Sequence, residues 1–147
     1  VKMMANSDVA LFFGIGTSGL IAAYASRQFS NLGQSTFHIH DPYYPFHLIS
    51  RQYTNTVPII CSVSGETEIM FRKTGDLKSL GSKIISITNS STNSLARQSD
   101  INLAYHLTPE YVDEEVNVTS QLPAVFLIET LARRNYNYMQ QMLNNKL

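Results

Sequence analysis

Two glycine-and-hydroxyl stretches carry most of the chemistry this chain can offer. In FFGIGTSG (residues 12–19), Gly14, Gly16 and Gly19 fall in the spacing G-x-G-x-x-G, with Thr17 and Ser18 between the last two. Glycines there let a backbone come close to an anion, and a helix starting next supplies free N–H groups and the positive end of its dipole. The spacing also admits a dinucleotide, because Asp41 lies 22 residues after Gly19, where an acidic side chain would hold a ribose diol. The second stretch, SVSGET (62–67), repeats the theme with Ser62, Ser64, Gly65, Glu66 and Thr67. A nicotinamide-binding fold has no use for a second turn of this kind. Ser18, Ser62, Ser64 and Thr67 would set four hydroxyls beside two helix starts. Such a shell suits a compact dianion such as a phosphate monoester, which hydroxyls and backbone N–H groups bind without a lysine. The alternative is that these serines only cap helices, a common use of Ser and Thr.

The pocket exists only if the two loops meet, so the surrounding elements decide the matter. VALFF (9–13), STFHI (35–39), VPIICSV (57–63), KIISI (83–87) and INLAY (101–105) are strand-sized and rich in β-branched or aromatic residues. Residues 19–32 read as a helix with Leu20, Ala23, Tyr24 and Phe29 as its apolar positions, stopped by Gly33. Residues 66–80 repeat the design with Ile69, Met70, Leu77 and Leu80, and Gly81 beyond. A last helix is expected from near Thr119 into the tail, with Pro123 in its first turn, since deeper inside proline would break the hydrogen-bond ladder. Alternating strands and helices predict an α/β three-layer sandwich around a five-stranded parallel sheet of order 2-1-3-4-5, flavodoxin-like. In that order strands one and three are neighbours, and both loops lie at the carboxyl ends, where open sheets bind ligands.

Composition narrows the partners. At 147 residues and 44% apolar content the chain makes one domain with one sizeable core. Lys+Arg and Asp+Glu balance at 11 each, so no basic face points to nucleic acid and no polybasic segment to an anionic membrane. No apolar stretch approaches the ~20 residues that span a bilayer, and VKMMANSD lacks the apolar region of a signal peptide. A cytoplasmic protein is expected. The single cysteine, Cys61, excludes an internal disulfide and a thiolate zinc site, and inside an apolar strand it reads as a small core residue. No cofactor and no metal are implied. The sequons at Asn89 and Asn117 are then chance matches.

FFGIGTSG, SVSGETE and NSSTNSLARQSDINL (89–103) resemble, in order and spacing, the motifs of the sugar isomerase (SIS) domain, a phosphosugar-binding α/β module, from about Asp8 to Arg133. ALFFGIGTSGLIA and the closing TSQLPAVFLIETLA look most like the effector-binding half of RpiR-type bacterial transcription regulators. The resemblance implies that Ser18, Ser62, Ser64 and Thr67 hold a sugar phosphate, with Gly16, Thr17, Gly65 and Glu66 completing the two loops. It also implies a homodimer packed largely through helices, and DNA contact only through a helix-turn-helix domain ahead of this module. The first strand begins within ten residues of Val1. The chain is therefore expected to be a single effector domain, 1–147, excised or truncated from such a regulator.

The competing reading is an aldose–ketose isomerase, since SIS domains also form enzymes of that class. The reaction needs a base to move a proton between neighbouring carbons and usually a second group to open the ring. Glu114, Glu115, His38, His40, His47 and His106 are the candidates, and none stands in a motif that gives it a role. DEEV (113–116) also reads as a solvated loop. His38 and His40 share a strand face and, with Asp41, either line the ligand mouth or pack under a helix. Metal ligation by that pair is the least favoured reading. HDPYYPFH (40–47) reads as a rigid loop leading into a helix, which shapes the sugar side of the pocket or covers the sheet edge. Glu66, at a helix start, is expected to complement the dipole.

Overall fold

A computed structural model describes residues 1–145, so the last two residues of the tail, Lys146 and Leu147, lie outside the described residues. Strands β1 (Val9–Phe13), β2 (Thr36–Ile39), β3 (Thr56–Cys61), β4 (Ile85–Thr88) and β5 (Ile101–Ala104) form one parallel sheet in the order β2-β1-β3-β4-β5. Burial explains the order. Every residue of β1 and β4 is buried, as is β3 after Thr56, whereas β2 and β5 are largely open and take the edges. Strands apolar on both sides need cover on both faces, which right-handed helical crossovers provide. Ala10 and Phe12 point into one core with Phe29 and Ile128, while Leu11 and Phe13 point into the other with Ile49, Met70 and Leu77. Pro58 sits in central β3 without breaking it, because the ladder to β4 starts one residue later, at Ile59 opposite Ile85.

The helices are α1 (Lys2–Ala5), α2 (Thr17–Asn31), α3 (His47–Gln52), α4 (Glu68–Ser79), α5 (Ser94–Gln98) and α6 (Leu122–Asn144). The helix expected over 19–32 starts earlier and faces differently. Ser18, Gly19, Ala22, Ala25, Ser26 and Phe29 are buried, while Leu20 is 72% exposed. Small residues let α2 lie close to the sheet, where the Ser26 hydroxyl meets that of Thr36 at 2.9 Å. Leu80, expected on the apolar side of α4, falls past its end and is exposed. Pro123 does sit in the first turn of α6, which starts at Leu122 rather than near Thr119. Between β5 and α6 the chain forms an unforeseen hairpin, β6 (Tyr111–Val112) against β7 (Val116–Asn117). Its turn takes φ +51° at Asp113 and +59° at Glu114, a shape usually marked by glycine or asparagine, so the sequence showed only a solvated loop. Among the described residues no helix is long and apolar enough to cross a membrane.

Candidate functional site

The two loops meet. β1 and β3 are neighbours, and their crossovers leave in opposite directions, so a crevice opens beyond their carboxyl ends. There Thr17 and Ser18 of α2 face Ser62, Ser64 and Thr67 across a cleft of about 180 Å³, floored by Ile15, Cys61, Val63 and Met70. Gly16, Gly65 and Glu66 frame this group without lining it. Two unforeseen residues close the far side, Asn117 from β7 and Gln121 at the start of α6. Gln121 stands in the TSQLPAV stretch just before a helix-starting proline, a signal that could have found it. Asn117 was legible only as a sequon.

Glycine is required at two points of this frame. Gly16, the N-cap of α2, holds φ +59° and ψ −132°, where a side chain is strained. Gly65 holds φ +67°, and a Cβ there would run into the side chain of Asn93. Asn93 is itself buried and fixed, accepting from the Ala96 N–H at 2.7 Å as the cap of α5 and donating to the Ser90 carbonyl at 2.7 Å. The NSSTNS stretch continues inward as a polar network in which the Ser86 and Thr88 hydroxyls meet the side-chain Oδ1 of Asn102 at 2.7 and 3.0 Å. Its role is to hold the second loop.

The hydroxyls are set up as donors. Ser62 Oγ accepts from the Gly65 N–H at 3.1 Å and Ser64 Oγ from the Glu66 N–H at 3.2 Å. A hydroxyl that accepts within its own turn keeps its proton for a ligand. Helices α2 and α4 start at Gly16 and Thr67 with no side-chain cap, so their first N–H groups remain at the cleft with the positive dipole ends. The serines therefore shape the loop but do not cap these two helices. Glu66 departs from its expected role. Its carboxylate accepts from the Ser94 N–H at 2.8 Å, at the start of α5. Hydrogen bonds from Ser94 hold its carboxyl below the ordinary glutamate value. It serves a neighbouring helix start, because the loop turns its side chain away from α4.

Among the described residues no Asp, Glu, His, Lys or Arg lines the cleft. Cys61 is buried beneath it, and burial pushes its thiol up to about 12, so it stays protonated at neutral pH. Glu114 and Glu115 are exposed at the hairpin turn. His38, on edge strand β2, and His40, just past its end, are both exposed, their rings stacked with centroids 6.3 Å apart, and His40 lies beside Gly19 at the start of α2 rather than in the cleft. Asp41 accepts from the Tyr43 N–H at 2.8 Å and so stiffens its own loop. HDPYYPFH does lead into a helix, and its Phe46 packs on Phe13 below the sheet face.

The chain is 30% identical over 129 residues to an uncharacterized HTH-type transcriptional regulator of Clostridium perfringens, a match covering 88% of this chain and 46% of the regulator. It is 34% identical over 98 residues to an arabinose 5-phosphate isomerase of Escherichia coli, covering 66% of this chain and 31% of the isomerase. The chain thus spans less than half the length of both relatives. Among solved structures, the sugar isomerase domain of an RpiR transcription factor from Sphaerobacter thermophilus superposes with a TM-score of 0.76 at 14% identity, over 98% of this chain and 82% of that one. That likeness carries the fold. The family model for the SIS domain matches residues 3–132, from α1 into α6 and through both hydroxyl loops, and the chain belongs to that family.

Proposed function

We propose that this chain is the phosphosugar-sensing effector domain of an RpiR-type bacterial transcription regulator, acting in the cytoplasm and reaching DNA only through a separate helix-turn-helix domain. One observation carries the reading: two hydroxyl-rich loops and two uncapped helix starts converge on a cleft with donors on several sides and, among the described residues, no acid–base side chain. That equipment binds a phosphate monoester and leaves its sugar unreacted. The likeness to a transcription regulator supports the sensor role, and the likeness to an arabinose 5-phosphate isomerase supports the ligand class. The same isomerase keeps a second reading in play, in which a neighbouring subunit supplies the missing base. Titration calorimetry with pentose, hexose and amino-sugar phosphates is expected to find one that binds saturably, while NADH does not. NMR of the bound sugar over hours at high protein concentration is expected to show no aldose–ketose interconversion. Turnover that disappears on Glu114→Gln or Glu115→Gln would establish the enzyme reading instead.

The domain acts as a homodimer. On α6, Leu122 and Phe126 are 74% and 70% exposed, one turn apart on one face, and Leu20 of α2 is equally open. One domain buries only one side of such a helix against its own sheet, and the remaining apolar surface calls for a partner of matching chemistry. Light scattering at micromolar concentration is expected to give twice the chain mass, and Phe126→Lys the mass of one chain.

A further inference from the structure

The Ser18 hydroxyl does not point idly into the cleft. It donates to Gln121 Oε1 at 3.2 Å, across 103 positions of sequence. Gln121 is the N-cap residue of α6, and its backbone carbonyl accepts from the Val125 N–H at 3.1 Å, the first bond of that helix. One weak link therefore joins a phosphate-facing hydroxyl to the turn that carries Leu122 and Phe126. Further along, the same two helices are tied again, by Tyr24 Oη donating to Glu129 Oε1 at 2.6 Å. Loss of the first tie leaves the second intact, so any movement is confined to the start of α6.

We infer that Gln121 is a displaceable latch through which occupancy of the cleft reaches the exposed face of α6. The inference rests on the phosphosugar reading above and adds how that site is regulated. The chemistry runs one way. A neutral O–H···O bond is commonly about 2.7–2.8 Å, so a bond of 3.2 Å is a poor one. A phosphate oxygen accepts the same proton in a charge-assisted bond about twice as strong. A phosphate monoester in the cleft therefore takes the Ser18 proton from Gln121, the amide swings free, and the first turn of α6 loses its tie to α2.

A competitor and a ligand-holding residue give opposite results when removed, which makes the latch testable with arabinose 5-phosphate as probe. Gln121→Ala is expected to bind it more tightly than the native chain, by about two- to tenfold, the worth of the neutral hydrogen bond no longer broken. Ser18→Ala, which removes the other end of the same bond, is expected to bind more weakly, because a phosphate donor goes with it. Amide exchange gives a second readout. At Val125 the ligand should speed exchange in the native chain, whereas Gln121→Ala should exchange at the faster rate with or without ligand. An affinity of Gln121→Ala that is unchanged or weaker overturns the latch. If neither arabinose 5-phosphate nor any other sugar phosphate binds the native chain, the sensor reading fails and the latch with it. Native binding with a weakened Gln121→Ala sinks the latch alone.

Discussion

Gly65→Ala is expected to destabilise the domain by about 2–4 kcal/mol, combining the strain of an L-residue at positive φ with the loss of the α5 cap. The second part follows from position. The new Cβ would occupy the space of the Asn93 side chain, which is buried and cannot stay where it is. Moving it gives up the bonds to the Ala96 N–H and the Ser90 carbonyl. For a domain of this size the melting temperature should fall by about 5–15 °C. Gly16→Ala is the control. It meets nothing within 4 Å of its Cβ and bears only the strain of its own positive-φ conformation, about 1–3 kcal/mol. Thermal melts of the two variants side by side decide the matter. Equal losses would mean that Asn93 has room to give and that the second loop is held less tightly than its hydrogen bonds suggest.

The largest effect on binding is expected from removing Ser62 and Ser64 together. Each hydroxyl already accepts from a backbone N–H and has one proton to give, and a hydrogen bond to a charged group is worth about 1.5–3 kcal/mol. Neighbouring sites do not add in full, so the double alanine variant should lose about a hundredfold or more in phosphosugar affinity. The two serines differ in their cost to the fold. Ser64 is exposed and its replacement should leave the melting temperature unchanged, while Ser62 is buried and its loss orphans the Gly65 N–H. That orphan should cost about 1–3 kcal/mol of stability. Calorimetry and thermal melts therefore separate donor from scaffold. Full affinity in Ser64→Ala would reduce that serine to a turn-former, and full affinity in the double variant would remove the phosphate site from this cleft.

The order of the sheet and the meeting of the loops were legible because they rest on local signals. Runs such as VALFF and VPIIC cannot be half-exposed, so they had to be central, and G-x-G-x-x-G and SVSGET had to leave their carboxyl ends. Hydroxyl content and glycine spacing are carried by neighbours in sequence, and a short loop between two well-marked elements has little freedom to be elsewhere. What failed was whatever depended on partners far along the chain. Leu20 reads as a core residue until α2 is seen to lie on its small residues. Glu66 reads as an aid to its own helix until α5 arrives, 28 positions later, with an open N–H. The hairpin carried no glycine at its turn, so the solvated loop holding Glu114 and Glu115 was legible but its fold-back, which brings Asn117 to the cleft, was not. By itself the sequence determined the family, the fold and one wall of the cleft, since each is written in contiguous residues. The tertiary structure alone decided the opposite wall, because Gln121 meets Ser18 only after the chain has closed a loop of 103 residues around the whole sheet.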